Sequence, residues 1–183
     1  RTISTIDEAE RTIRMTGLSV ELLVERAQAV PVGLGGPFVE ASADALASAD
    51  LLREVSVLDT HMERWERLQH VLRTLPLTAP VDYYHVTSGY GKRKDPFNGK
   101  WARHEGMDLA GPYGSTVFAT SAGTVVSAGW HPGYGRMVEI DHGMGIQTRF
   151  GLLRQIAVAK GDRVGFREKI GTLGSSGRST GPH

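Results

Sequence analysis

The first part of the chain carries apolar side chains at helical spacing. Ile6, Ala9 and Ile13 recur every three or four positions, and Gly17 is expected to end the helix they define. Ser19 is expected to cap a second, short helix that follows. The pattern therefore predicts two amphipathic helices before residue 31.

A third and much longer helix is predicted from about residue 42 to residue 75, after a Pro- and Gly-rich loop at 31–37. Its apolar side chains step mainly by three, four or seven positions: Leu51, Val55, Leu58, Met62, Trp65 and Leu72. An average step of about 3.5 is the period of a coiled coil. At about 1.5 Å per residue the helix would be about 50 Å long. We expect its apolar seam to pack on residues 1–30, on the C-terminal domain or on a second chain.

The apolar period changes to two after Pro76 and Pro80, which end the long helix. Short β-branched or aromatic runs then alternate with glycine turns, at 116–120, 123–129, 137–141, 146–150 and 156–159. Many short strands with glycine turns predict an antiparallel sandwich or barrel. The predicted fold class is α+β, with a helical coiled-coil region at 1–75, a linker at 76–85 and a mostly antiparallel β domain at 86–183.

The amino-acid composition excludes some kinds of site and segment. The absence of Cys excludes a disulfide scaffold and a thiolate metal site. No apolar run approaches the ~20 residues that a membrane span needs. Arg1 is not a natural start, so we expect that a signal or membrane anchor preceded it.

The net charge of +1 hides an asymmetry between the two regions. Residues 1–80 carry 8 Lys and Arg against 12 Asp and Glu, whereas residues 81–183 carry 13 against 8. The mildly basic C-terminal region suits an anionic polymer or an acidic protein, and a chance excess on a solvated surface explains it as well. We expect no nucleic-acid partner.

Candidate metal ligands occur at His104 and Asp108, four positions apart. In a straight strand such residues share a face but lie about 13 Å apart, too far for one ion. Gly106 supplies a bend that would bring them together. Taken alone, the pair is explained as well by a surface ion pair or a turn cap.

The segments around this pair form an ordered series. They are SGYGKR at 88–93, DLAGPYGSTV at 108–117, AGTV at 122–125, GYG at 133–135, IDHG at 140–143 and GSSGRSTGPH at 174–183. From about residue 86 onward this series closely resembles the lysostaphin/LytM-type peptidase domain. The resemblance implies a small antiparallel β domain with a groove, in which active members hold Zn²⁺ and cleave peptide cross-bridges of peptidoglycan.

The resemblance also assigns site residues. His104 and Asp108 match the first two zinc ligands, and His183 matches the catalytic first histidine of a His-x-His pair. The second histidine of that pair, the third ligand, would lie two positions after His183, so the given end is expected to be a truncation. Arg178 and Ser179 are expected to shape one groove wall.

Leu152 is the main departure from the family pattern. Active members carry a further catalytic histidine directly after a Thr-x-Tyr-x strand, and here that stretch reads TRFGLL at 148–153, which puts Leu152 at the histidine position. The motif DHG at 141–143 and the motif KGDRV at 160–164 fix the register on either side. Leucine neither donates a hydrogen bond nor exchanges a proton, although it would not prevent metal binding.

Two functions therefore stand as hypotheses. The first is a non-cutting regulator that binds peptidoglycan and activates murein hydrolases, such as amidases, during division. The second is an impaired or rescued zinc endopeptidase that cleaves peptidoglycan. His85 is a candidate groove residue or a surface residue. On either hypothesis we expect a bacterial envelope protein, in the periplasm, whose helical region can self-associate.

Overall fold

The computed structural model describes residues 2–28 and 49–183 and divides the chain into two compact units, Arg1–Thr74 and Leu75–His183. The first unit contains helices α1 (Thr2–Met15), α2 (Val20–Gln28) and α3 (Ala49–Thr74). The part of the predicted long helix at 42–48 lies outside the described residues. None of the described helices combines the length and the apolar composition needed to cross a membrane.

The predicted end of the first helix and the predicted start of the second are confirmed. Gly17, two residues after α1, has a φ of 77°, a left-handed conformation that costs glycine little. The Ser19 hydroxyl accepts a hydrogen bond from the backbone N–H of Leu22 at 3.2 Å, which is the bond that an N-terminal helix cap makes.

The apolar faces of α1 and α2 are buried against the C-terminal part of α3. Leu68 and Val71 of α3 are fully buried, together with Ile6, Ala9, Ile13, Val20, Leu23 and Ala27. Arg64 of α3 also forms an ion pair with Glu10 of α1.

The predicted seam of the long helix is not the buried face of this unit. Val55, Leu58 and Met62 are 46–57% exposed, and Trp65 is half-buried. The physical reason is length: α1 and α2 span about 21 and 14 Å, whereas α3 spans about 39 Å, so they cover only part of it. A coiled coil that buries these residues against a second chain stays a prediction.

The second unit is built of short strands, and all of its residues are described. The strands are β1 (His85–Ser88), β2 (Gly91–Lys94), β3 (Trp101–His104), β4 (Asp108–Ala110), β5 (Thr116–Phe118), β6 (Gly123–His131), β7 (Gly135–Asp141), β8 (Gln147–Leu153), β9 (Gln155–Ile156), β10 (Arg163–Val164) and β11 (Lys169–Thr172). Every strand pair is antiparallel, as the sequence predicts.

Two larger sheets enclose the core of this unit. One has the strand order β10-β6-β7-β8 and the other the order β5-β11-β9, while β1-β4 and β2-β3 form separate pairs. The core consists of apolar side chains from these strands and the entering chain: Val81, Val117, Ala119, Val125, Val138, Ile140, Phe150, Leu153, Val164, Ile170 and Leu173.

The segment expected to be a linker is tied into this unit. Val81 is 3% exposed and belongs to the core. The carbonyl of Pro80 accepts a hydrogen bond from the backbone N–H of Phe118 at 2.8 Å. The chain is therefore already fixed at the point where it approaches the strand pair β1-β4.

Candidate functional site

His104 and Asp108 lie together because two short strands meet at a bend. Strand β3 ends at His104 and strand β4 begins at Asp108, and the chain bends between them at Gly106. His104 Nε2 and Asp108 Oδ1 are 3.0 Å apart, and both side chains are largely buried. The separation of about 13 Å expected along a straight strand is thus removed by the bend at Gly106.

The orientation of the His104 ring is fixed from behind. Its Nδ1 lies 2.8 Å from the backbone carbonyl oxygen of Gly89. A carbonyl oxygen only accepts hydrogen bonds, so Nδ1 donates to it and Nε2 is the ring nitrogen that faces Asp108. A histidine metal ligand has this arrangement, in which the second ring nitrogen donates to a carbonyl or a carboxylate.

His183 reaches the same place from the other end of the unit. Its Nε2 lies 3.7 Å from Asp108 Oδ1. Its Nδ1 lies 2.9 Å from the carbonyl oxygen of Gly181 and 3.3 Å from the Ser179 hydroxyl. As with His104, Nδ1 donates to a backbone carbonyl and Nε2 is the ring nitrogen that faces Asp108.

The donors present fit two protein ligands of a zinc site. His104 Nε2 and Asp108 Oδ1 are side-chain donors of the kind that Zn²⁺ takes, whereas a catalytic zinc site has three protein ligands. In the described part of the chain, no group of three or more His, Asp or Glu residues is arranged to hold a metal ion. The third ligand that the resemblance implies stays a prediction.

Leu152 lines the cavity of about 240 Å³ that is also bordered by His104, Asp108 and His183. Its backbone is held on both sides. The N–H of Leu152 donates to the backbone carbonyl of Tyr134 at 2.6 Å, and the carbonyl of Leu152 accepts from the backbone N–H of Ser176 at 3.2 Å. Leu152 lies where the pairing of β8 with β7 shifts register, between Phe150 and Leu153. Leu152 thus borders the cavity of the candidate ligands, and its Cδ2 lies beside Gly177.

The backbone of Leu152 is unusual, with a φ of 60°. Left-handed conformations cost an L-residue roughly 1–2 kcal/mol. Histidine is several-fold enriched among non-glycine residues in this region, whereas a bulky aliphatic residue is not.

No other imidazole takes the place of Leu152 in the described chain. The histidines that line its cavity are His104 and His183. His142 is 7% exposed, and its ring nitrogens lie 2.8 Å from the carbonyl oxygen of Ala122 and 2.8 Å from the Thr148 hydroxyl. Both of its polar atoms are thus engaged in holding a turn.

The residues expected to border the groove take different positions. His85 is exposed and lines a neighbouring depression together with Asp108 and His183. Ser179 contacts His183 through its hydroxyl. Arg178 donates to both carboxylate oxygens of Asp95, at 2.6 and 2.9 Å, so its guanidinium holds the hairpin turn and is not free for a ligand.

Three further residues shape the site and were not singled out from the sequence. Arg93 Nη1 lies 3.4 Å from Asp108 Oδ2, on the carboxylate oxygen turned away from His104. Tyr134 and Arg149 both line the cavity, and the Arg149 guanidinium lies 5.2 Å from the centroid of the Tyr134 ring. The carboxylate of Glu139, 2.8 Å from Arg149, raises the pKa of that guanidinium above its ordinary value. The sequence could have pointed to Arg93 and Tyr134, because they belong to the family-like motifs SGYGKR and GYG.

Comparison with known proteins agrees with this geometry. The model of Peptidase family M23 matches residues 102–183. A protein named peptidoglycan DD-endopeptidase ShyB, from Vibrio cholerae, is 41% identical over 107 residues, which are 57% of this chain and 25% of that protein. The chain therefore spans about a quarter of the length of such curated relatives.

Solved structures show the same likeness. A zinc-containing peptidase from Vibrio cholerae has a TM-score of 0.54 at 41% identity, covering 57% of this chain and 33% of that one. The catalytic domain of lysostaphin from Staphylococcus simulans has a TM-score of 0.51 at 34% identity, covering 55% of this chain and 75% of that domain. The C-terminal unit of this chain, with His104, Asp108 and His183 gathered at one cavity, belongs to peptidase family M23.

Proposed function

We propose that the C-terminal unit binds peptidoglycan without cutting it at an appreciable rate, and that the protein regulates murein hydrolases such as amidases. The observation that carries the proposal is the position of Leu152, which borders the cavity of His104, Asp108 and His183. On this view the groove is a recognition site. The protein acts in the bacterial cell envelope, in the periplasm, during division.

A hydrocarbon at this position removes a chemical function. In the family pattern the residue is a histidine that helps to orient water or to stabilise developing charge. Loss of one such hydrogen-bond donor lowers rates about 10²–10³-fold. Loss of a general acid or base lowers them about 10²–10⁴-fold. Since His104 and His183 are the cavity's imidazoles in the described residues, neither is left over to replace it.

The cavity remains suited to holding a peptide. Apolar side chains, among them Leu109, Leu152 and Leu153, line it beside the polar ends of His104 and Asp108. Binding sites of this kind combine apolar walls with a few placed polar groups. The names of two relatives, both peptidoglycan DD-endopeptidases, support a peptidoglycan peptide as the ligand.

The helical unit supplies a second feature of a regulator. Val55, Leu58 and Met62 are exposed along α3 at a step of three to four residues. We propose that this seam mediates self-association or contact with a partner helix, because exposed apolar residues at coiled-coil spacing lose water when two helices pair.

The test is an amidase assay on purified sacculi, with and without the full-length protein. We expect the protein alone to release no muropeptides and to increase the rate of the cognate amidase. Leu109→Asp, which places an unpaired charge in the cavity, should abolish that increase. The variant Lys160→Gln, exposed and outside the cavity, is the matched control. No change in amidase rate with any amidase of the same organism would contradict the proposal.

The second candidate function is a zinc DD-endopeptidase. It is favoured by the convergence of His104 Nε2, Asp108 Oδ1 and His183 Nε2, which gathers two of the three expected zinc ligands and one catalytic histidine at one cavity. Bound Zn²⁺ would act there as a Lewis acid on a peptide carbonyl and its attacking water. His104 and Asp108 would hold the ion, and His183 is placed to handle a proton.

The two candidates are separated by product analysis. The full-length protein is incubated with sacculi and the soluble products are separated by chromatography, with His104→Ala and a chelator as controls. Chelator-sensitive release of cross-bridge cleavage products, absent in His104→Ala, would establish the endopeptidase. Zinc-containing protein without release supports the recognition role.

A further inference from the structure

The β2–β3 hairpin has two chemically different faces. Register pairs Lys92 with Arg103 and Lys94 with Trp101. Since side chains alternate along a strand, these four share one face, and Arg93 and His104 lie on the other. Arg93 and His104 are the residues that contact Asp108. The hairpin thus presents one face to the metal-ligand site and the opposite face to solvent.

The solvent face combines cations with exposed aromatic rings. The ammonium groups of Lys92 and Lys94 lie 4.9 and 6.0 Å from the centroid of the Trp101 ring. The Arg103 guanidinium lies 5.7 Å from the Tyr90 ring and donates to the Tyr90 hydroxyl at 2.8 Å. Trp101 and Tyr90 are each 64% exposed. We call these five residues, Tyr90, Lys92, Lys94, Trp101 and Arg103, the cationic face.

The cations of this face lack carboxylate partners. Among the described residues, Lys92, Lys94 and Arg103 form no ion pair, and Glu105 acts on Arg103 only at longer range. Lys92 and Arg103 are directly opposite each other across the two strands. Like charges in that position destabilise a strand pair, so stability of the hairpin does not explain them.

Local stabilisation accounts for only part of the arrangement. Cation–π contacts at exposed sites contribute about 0.5–1 kcal/mol each, which offsets some of the repulsion. They do not account for two large aromatic rings held in solvent beside three unpaired cations. A carboxylate-bearing ligand would satisfy both features, because it neutralises the cations and covers the rings.

We propose that the cationic face binds free carboxylates of the peptides of peptidoglycan, as a second contact separate from the cavity. The choice of polymer rests on the proposed function, and the choice of carboxylate rests on charge complementarity. Trp101 and Tyr90 provide flat apolar surfaces on which the backbone of the polymer lies. One face of the hairpin therefore binds peptidoglycan, while the opposite face carries Arg93 and His104 of the metal-ligand site.

The experiment is cosedimentation of the full-length protein with purified sacculi, compared across three variants. Lys92→Gln/Lys94→Gln removes two cations of the face, and Trp101→Ala removes its larger ring. Lys160→Gln/Lys169→Gln removes the same charge from exposed positions of the same unit and is the matched control. Because every substituted side chain is exposed, circular dichroism is expected to show unchanged folding.

We expect the face variants to bind roughly three- to tenfold more weakly at low salt, and the control to bind like wild type. The salt dependence of the face variants should also flatten, because fewer ionic contacts are screened. Sacculi whose carboxylates have been amidated should bind wild type as weakly as the double variant. Equal binding of the face variants and wild type, or an equal loss in the control, overturns the proposal.

A second ligand separates this proposal from the proposed function. Soluble polyglutamate carries carboxylates without any peptidoglycan chemistry. Sacculus binding that does not depend on the face overturns the cationic face and leaves the peptidoglycan role intact. If the cationic face is needed for binding to polyglutamate but the protein does not bind sacculi, then peptidoglycan is not the ligand, and the proposed function is overturned as well.

Discussion

Arg178 and Asp95 join two segments that are 83 positions apart in the sequence. Both carboxylate oxygens of Asp95 accept hydrogen bonds from the guanidinium, at 2.6 and 2.9 Å. The guanidinium also lies 4.4 Å from the ring centroid of Phe97. This contact attaches the turn of the β2–β3 hairpin, which ends in His104, to the segment that ends in His183. The two histidines are thereby held at the same cavity.

The contact between Asp95 and Arg178 makes the stability of the fold depend on pH in acidic solution. Hydrogen bonds from Arg178, and then from the backbone N–H groups of Phe97 and Asn98, lower the pKa of the Asp95 carboxyl to about 2. The pKa in an unfolded chain is about 3.9. A depressed folded-state pKa adds stability above the unfolded value, and that stability is lost as the pH falls through the folded value.

Asp95→Asn is therefore expected to lower the melting temperature at neutral pH and to differ less and less from wild type between about pH 4 and pH 2. Thermal unfolding at a series of pH values measures this. Asp162→Asn, also in a turn but without an arginine partner among the described residues, is the comparison variant. A constant difference between Asp95→Asn and wild type down to pH 2 would contradict the expectation.

The Asp95–Arg178 pair also marks the limit of what the sequence predicts. The period change after Pro80 predicts the antiparallel unit, and the motif series predicts that His104, Asp108 and His183 share a site. Strands β2 and β3 were not predicted, because GKRK and WARH are short, charged and exposed and show no buried alternation. A contact across 83 positions depends on the path of the folded chain, and no local pattern reports it.

The long helix shows the opposite case, in which a strong local pattern does not decide burial. The seam of Val55, Leu58 and Met62 has coiled-coil spacing, yet these side chains are exposed in the single chain. Leu68 and Val71 are buried instead. Periodicity identifies which side chains can share a face, but the neighbours that reach that face decide which are covered.

Gly135 is expected to tolerate no side chain. Its φ is 64°, and an added Cβ would lie 2.5 Å from both the Gly177 nitrogen and the Ser176 hydroxyl oxygen. Gly133 has a similar φ of 83° but no atom within 4 Å of its Cβ position. Gly135→Ala should therefore lower the free energy of unfolding by about 1–3 kcal/mol more than Gly133→Ala does.

Urea unfolding of the two glycine variants measures that difference. The shared backbone strain of about 1 kcal/mol cancels in the comparison, so the remainder reports the contact with residues 176–177. Equal destabilisation by the two substitutions would show that this segment does not pack against the start of β7.

Zinc affinity of the full-length chain is expected to depend on His104 and not on His85. His104 Nε2 lies 3.0 Å from Asp108 Oδ1, whereas His85 is exposed and lies outside the cavity of Leu152. His104→Ala should weaken zinc binding by at least about 100-fold, since it removes a ligand and not merely a residue that orients one. Competition with a chromogenic chelator measures the affinity, and an equal loss in His85→Ala would refute the assignment.

The backbone at Leu152 is expected to accept histidine better than valine. With a φ of 60°, a β-branched side chain is a steric outlier, whereas histidine is enriched in this region. Leu152→His should leave the free energy of unfolding within about 1 kcal/mol of wild type, and Leu152→Val should lower it by at least about 1 kcal/mol. Denaturant titration of both variants measures these free energies of unfolding. A larger loss of stability in Leu152→His than in Leu152→Val would contradict the expectation.

Leu152→His is also the most direct test of the account. Muropeptide release from purified sacculi is measured for the full-length wild type, for Leu152→His and for Leu152→Met, which conserves volume and supplies no proton donor. We predict no release by wild type or Leu152→Met, and a chelator-sensitive gain of about 100-fold or more in Leu152→His. Chelator-sensitive release by wild type at the rate of the histidine variant would contradict the claim that Leu152 makes this M23 domain a binding module.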